Sequence, residues 1–302
     1  MSKKINIDGR EKTLGQWCKE FGLPYDLVYK RVYRNGWSIE DALNKGGKNP
    51  YRKKVMVVND IHIPYQNEKL IEEIKKHSDI DYLVIGGDLI DCESCSSFPM
   101  LDRPTLEEEL IEAHMFISEV SEIINGEIIC IKGNHSERLE KEIMKMHEKN
   151  LQRFLNPRLL SMLEEGFSFY IKGQKVTFDA IDNFTYIDKW YAKLFENMVI
   201  CHPKSFSNVP GKIAEQCAEY FLNRGIIDSS DIVILGHTHK YSSIVATRRQ
   251  NVFVLENGCC CKDMDYSDTG KLGYSDQTNC YSIIEFTEGE KIDKNDIKTY
   301  FF

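Results

Sequence analysis

Five short apolar runs in this chain end in residues that can hold metals or move protons. "KKVMVVND" leads into Asp60-Ile61-His62, and "DYLVIGGD" ends in Asp88 with Asp91 following. "GEIICIKGN" delivers Asn134 and His135, "NMVIC" delivers His202, and "DIVILG" delivers His237 and His239. Five of the eight histidines stand at these run ends, a placement chance does not favour. A solitary H-x-H is most often a turn with two solvated imidazoles; here it has company. Side chains two apart on an extended chain point the same way, so Asp60 and His62 can reach one ion together. The nitrogen and oxygen donors suit Mn²⁺ first, with Fe, Zn²⁺ or Ni²⁺ as alternatives. Two such cations about 3.5–4 Å apart can clamp an anionic phosphodiester and deliver hydroxide to it in line.

The elements that position these residues are legible as patterns. The five runs are short and β-rich, with helical stretches between them. One such stretch is 105–124, with Leu106, Leu110, Ala113 and Ile117 on one face. Strands alternating with helices predict an α/β sheet covered on both faces, with ligands gathered beyond the carboxyl ends of its strands. Residues 167–181 and 241–257 read as further, antiparallel strands. Glycines beside Asp88, Asn134 and His237 give the loops room to turn sharply and let a phosphate approach.

Taken in order, "DIH", "GDLID", "GNH", a later strand-end histidine and "GHTH" resemble the calcineurin-like metallophosphoesterases. The resemblance spans residues 55 to about 260. It implies a four-layer α-β-β-α sandwich of two mixed sheets and a dinuclear site at one edge. It places Asp60, His62, Asp88 and His239 on one metal, and Asp88, Asn134, His202 and His237 on the other. Asp88 then bridges, giving one oxygen to each ion. His135 is implied to face the leaving oxygen as proton donor, help typically worth ~10²–10⁴-fold. Asp91 is implied to orient it. Two departures stand out. Ser136 follows "GNH" where the family often has an acid, with Glu137 and Arg138 next, and "GDLIDCE" lacks the arginine-glycine of protein phosphatases. A protein substrate therefore ranks low. His77, His114 and His147 lie on helical stretches and receive no role.

Charge divides the chain. Residues 1–54 carry 13 Lys and Arg against six Asp and Glu, net +7, while the remaining 248 residues carry 26 against 41, net −15. A basic head on an acidic body predicts two modules, residues 1–46 and 52–302, joined through "NKGGKNPYRKK". In the head, Leu14, Trp17, Cys18 and Phe21 share a helix face opened by Thr13, "GLP" breaks it, and a basic helix and a third helix capped by Ser38 follow. This small all-α segment resembles helix-turn-helix segments of phage-associated proteins. It offers Lys30, Arg31 and Arg34 to DNA; a basic face that merely docks to protein is the alternative. The ten cysteines are expected to be reduced and packed as small hydrophobes, since neither Cys92-x-x-Cys95 nor the triplet Cys259–Cys261 has a matching second pair. No run suits a membrane span, and the start has no signal-peptide core, so the expected place of work is the cytoplasm of a bacterial or phage-infected cell. The whole reads as a metal-dependent phosphodiesterase or nuclease acting on DNA. The alternatives are a small-nucleotide phosphatase or phosphodiesterase with a regulatory head, and a non-catalytic DNA-binding or scaffolding protein.

Overall fold

A computed structural model describes residues 4–7, 10–21, 23, 25–34, 36–43, 52–97, 103–145, 158–246, 251–263 and 277–302. The chain divides into two compact units, Met1–Lys53 and Lys54–Phe302. The stretch 44–51, where the sequence places the linker, lies outside the described residues, as does His147.

The first unit opens with an antiparallel hairpin, β1 (Lys4–Ile7) and β2 (Arg10–Thr13), so it is not purely helical as expected. The alternation of Ile5 and Ile7 with polar residues gives that ribbon an apolar face. Both isoleucines pack with Trp17, whose indole N–H donates to the Ile5 carbonyl at 3.1 Å. Three helices follow: α1 (Leu14–Glu20), α2 (Tyr25–Tyr33) and α3 (Ile39–Leu43). Thr13 and Gln16 cap α1 reciprocally, a capping box. Leu14, Trp17, Cys18, Val28, Trp37, Ala42 and Leu43 form the core of this unit.

In the second unit the parity of each strand sorts side chains into layers. In β3 (Arg52–Val58), Met56 and Val58 join a core beneath helices, while Val55 and Val57 join a second core between two sheets. In β4 (Tyr82–Ile85), Leu83 and Ile85 face the helices and Val84 the opposite sheet. Helices α4 (Leu70–Lys75) and α5 (Leu106–Ile123) supply the outer layer through Leu70, Ile74, Leu110, Ala113 and Ile117. After β5 (Glu127–Ile131) come α6 (Glu137–Lys145), α7 (Ser161–Glu165), a hairpin of β6 (Phe167–Ile171) and β7 (Gln174–Phe178), and β8 (Phe184–Ile187).

The second sheet contains β9 (Tyr191–Leu194), β10 (Met198–Cys201), β11 (Ile232–Leu235), β12 (Tyr241–Ala246) and β13 (Val252–Asn257). Met198, Ile200, Ile232 and Ile234 point into the inter-sheet core. Val199, Cys201, Val233 and Leu235 pack on the other side against α8 (Lys212–Asn223). With β14 (Cys280–Thr287) and β15 (Ile297–Phe301), the sheets run β15-β14-β3-β4-β5-β8 and β12-β13-β11-β10-β9. Both mix parallel and antiparallel pairs. The result is the expected α-β-β-α sandwich. No described helix is long and apolar enough to cross a membrane.

Candidate metal centre

Parallel pairing gathers the five run ends. β3, β4 and β5 run parallel in one sheet, and β10 and β11 in the other. The loops beyond them are not extended. Asp60, His62, Asp88, His237 and His239 all have positive φ, between 45° and 78°. The premise that Asp60 and His62 share a face of an extended chain is therefore replaced by a tighter device, a left-handed loop that turns both inward. Such conformations cost non-glycine residues about 1–3 kcal/mol each and persist where surrounding contacts over-determine them. The N–H of His62 donates to the Asp88 carbonyl at 2.9 Å, locking two of these loops together.

Each acid is pinned by one oxygen and offers the other. Oδ2 of Asp60 accepts the backbone N–H of His237 at 2.8 Å. Its Oδ1 is buried with no hydrogen-bond partner among the described residues, and around it stand Nε2 of His239 at 3.4 Å, of His62 at 3.7 Å and of His202 at 3.8 Å. Oδ1 of Asp88 accepts the N–H of His135 at 2.9 Å. Its Oδ2 faces Nε2 of His202 at 3.0 Å, of His135 at 3.9 Å and of His62 at 4.0 Å. Oδ1 of Asn134 lies 3.1 Å from Nε2 of His202. Ligand atoms of Asp60, His62 and His239 lie within 4.8 Å of one another, as do those of Asp88, His202 and His237. All seven sequence-nominated ligands are thus brought together, and Oδ2 of Asp88 faces a ring of each group, His62 at 4.0 Å and His202 at 3.0 Å. An orphaned buried carboxylate oxygen ringed by imidazole nitrogens fits divalent cations.

Backbone approach is tight enough to require glycine. A Cβ on Gly133 would lie 1.9 Å from Oδ1 of Asp88, and one on Gly87, at φ +98°, would meet the His202 ring at 2.3 Å. The charges explain each other. Burial pushes His62 and His202 down, but Asp60 and Asp91 beside the former, and Asp88 and Asp60 beside the latter, raise each to about 9. Burial would raise the carboxyls of Asp60 and Asp88, yet the surrounding imidazoles, His202 foremost, hold both below the usual range. Burial and the neighbouring His202 depress His237 to about 4.

Outer contacts set ring orientation. Nδ1 of His202 lies 2.8 Å from the Gly86 carbonyl, which leaves Nε2 for the centre. Oδ1 of Asp91 lies 2.8 Å from Nδ1 of His62 and 2.9 Å from Nδ1 of His135. Asp91 therefore holds two rings, where the resemblance implied one. Arg138 went unassigned in the sequence. Its Nη1 is 3.0 Å from both the carbonyl and Oδ2 of Asp91, and its Nη2 is 3.1 Å from Nε2 of His135. The signal was faint: an arginine three residues after a histidine, hence on its side of a helical turn. His135 also comes within ligand reach of His62 and Asp88.

The family match decides the identity. Residues 53–241 match the calcineurin-like phosphoesterases. The chain belongs to that family. It is a metal-dependent phosphoester hydrolase, with Asp and His clusters suited to two metal ions. Among solved structures it is similar to the E. coli phosphoesterase Yfce, at 15% identity over 76% of this chain and 87% of that one, with a TM-score of 0.36. It is also similar to a metallophosphoesterase from Sphaerobacter thermophilus, at 11% identity over 82% and 88%, with a TM-score of 0.38. No curated protein matches.

The phosphoesterase's residues nominated for DNA separate, and His77 and His114, given no role, make local contacts. Lys30 on α2 and Arg34 just past its end are exposed, while Arg31 is half-buried, donating to the Ala42 carbonyl at 3.0 Å and standing over the Trp37 ring. Arg31 thus has a packing role inside its unit. His77 lies 3.1 Å from the Tyr281 hydroxyl, and His114 2.8 Å from the Asp179 carbonyl.

Proposed function

We propose that this phosphoesterase is a dinuclear phosphodiesterase acting on DNA, working in the cytoplasm where its ten free thiols would stay reduced. The observation that carries the hydrolytic part is the convergence on two shared carboxylate oxygens, Asp60 Oδ1 and Asp88 Oδ2. Asp60, His62, Asp88 and His239 would hold one ion, and Asp88, Asn134, His202 and His237 the other, with Mn²⁺ our first choice. When bound, such ions neutralise phosphate charge and activate water for in-line attack.

The chain's own residues do the rest. Asp91 fixes the His62 and His135 rings through their Nδ1 atoms. An arginine can only donate, so Arg138 meets His135 at a bare Nε2. His135 can protonate a leaving oxygen once Arg138 has moved off Nε2 and that nitrogen has taken up a proton from solvent. A substrate phosphate gives the guanidinium a bidentate place to go. Arg138 thereby couples phosphate arrival to release of the acid.

The choice of DNA rests on the head. Tyr25, Tyr29 and Tyr33 form an exposed ladder along α2, with ring centroids 5.9 and 4.7 Å apart, with Lys30 on the same helix and Arg34 just past its end. Aromatic faces beside cations suit stacking on bases and contact with phosphates. One observation favours the small-nucleotide reading. A cavity of about 370 Å³ opens beside His202, lined among others by Trp190, Lys204, Ile213 and Tyr220, large enough for a compact ligand. A manganese-supplemented comparison of single-stranded DNA, duplex DNA, RNA, cyclic nucleotides and phosphomonoesters decides. Turnover fastest on DNA is expected, and turnover confined to mononucleotides would replace this reading with the second.

A further inference from the structure

A second cluster of metal-type donors lies behind the centre. Cys259 bridges to Asn279 and Cys261 to Gln66, with the chain bending at Cys260 between them. The two bridging cysteines group with His239, whereas Cys260 does not. Cys260 joins the helix-side core with Tyr281. The other two thiols turn toward His239, with Nδ1 of that ring 3.9 Å from Sγ of Cys261. One donor atom from each of His239, Cys259 and Cys261 lies within 4.8 Å of the others, and all three residues are buried. The turn leading in is built for this. Gly258 has φ +58°, and a Cβ there would strike the Thr278 carbonyl at 2.3 Å. Side-chain amides close the remaining side: Nε2 of Gln277 lies 3.5 Å from Sγ of Cys259 and 3.6 Å from Sγ of Cys261, and Nδ2 of Asn279 lies 3.6 Å from Sγ of Cys259.

We infer that Cys259, Cys261 and Nδ1 of His239 form a site for a thiophilic divalent cation of the Zn²⁺ class, back to back with the dinuclear centre. Tetrahedral binding with Zn–S about 2.3 Å and Zn–N about 2.0 Å spaces donors about 3.6–3.8 Å apart, close to the separation of Nδ1 and the Cys261 sulfur. Two thiolates with one imidazole select a soft or borderline ion over Mn²⁺. Loading the site sends the two thiol protons and the Nδ1 proton of His239 to solvent, so the ring bridges as an imidazolate. His239 then serves two sites with one ring, since its Nε2 faces Oδ1 of Asp60 at 3.4 Å.

The test uses the full chain carrying Mn²⁺, titrated with Co²⁺, which shows near-ultraviolet sulfur-to-cobalt charge transfer only with thiolate ligands. A band saturating at one equivalent is expected, and it should be lost in the Cys259→Ser/Cys261→Ser double variant. Absence of the band in the wild type overturns the inference, as does its persistence in the double variant. Should that variant fail to fold, zinc X-ray absorption on the Mn²⁺-loaded wild type decides: two sulfur neighbours at about 2.3 Å support the site, and nitrogen and oxygen alone overturn it. Electron paramagnetic resonance of Mn²⁺ in the same samples reports separately on the dinuclear centre, so failure of either site is recognised on its own.

Discussion

Oδ1 of Asp91 lies 2.8 Å from Nδ1 of His62, so a carboxylate outside the ligand set holds a ligand ring in place. The same oxygen holds His135 at 2.9 Å. Asp91→Asn should therefore weaken metal binding as well as turnover. Loss of such an orienting partner costs about 10–100-fold in affinity or activity. Metal affinity measured by competition with a chelator checks this. Unchanged affinity with reduced turnover would confine Asp91 to His135.

Asp88 and His135 should separate in the opposite sense. Asp88→Asn should deplete bound metal and abolish hydrolysis. His135→Ala should retain metal and lose ~10²–10⁴-fold in kcat on a chromogenic diester. Metal content and kcat on the same preparations check both, and full activity in His135→Ala would remove its assigned role.

Arg138→Ala should raise KM for phosphodiesters by about 10–100-fold, the scale of a lost charge-assisted contact. Arg138→Lys should restore part of it, because a point charge reaches phosphate without the fork. The pH profile of kcat distinguishes this from simple pinning of His135. A lower kcat with unchanged KM would make Arg138 a support of the ring alone.

Stripped of metal, the protein should lose stability as the solution becomes alkaline. His62 and His202 are raised to about 9 from the usual 6.5, so their contribution is complete below pH 6.5 and is lost as pH rises through 9. Each ring contributes of the order of 3 kcal/mol. Thermal unfolding of chelator-treated protein from pH 6 to 10 should show a falling midpoint. Metal-loaded protein, whose ligand rings are already neutral, should show little of that fall.

Charge reversal on the head tests the DNA reading. Lys30→Glu with Arg34→Glu should weaken DNA binding and flatten its dependence on salt by about two phosphate contacts. Hydrolysis of a small diester should be unaffected. Unchanged DNA affinity would assign α2 to protein docking.

The strand ends were legible because each run is apolar, short and terminated by a metal-type residue, and parallel pairing places such ends together. The layers were legible only through the family resemblance, since "VMVV" is apolar throughout and does not itself separate Met56 and Val58 from Val55 and Val57. The hairpin of residues 4–13 went unread: four-residue strands are weak signals, although Asp8-Gly9 between them is a common hairpin dipeptide. The left-handed loops could not be read, because Asp and His carry no mark of the φ that packing imposes on them. Arg138 and the pairing of His239 with Cys259 and Cys261 depend on side-chain contacts across strands and turns, which spacing alone does not specify. The triplet lacked a partner in the sequence because its third donor lies 20 residues upstream, in a motif already given another role.

Seven side chains from Asp60 to His239 would hold two ions around Asp88. Low-temperature electron paramagnetic resonance of the protein carrying two equivalents of Mn²⁺ tests this most directly. Ions about 3.5–4 Å apart give an exchange-coupled spectrum, which is the result predicted, and which Asp88→Asn should abolish. Isolated six-line Mn²⁺ signals at full loading would contradict it.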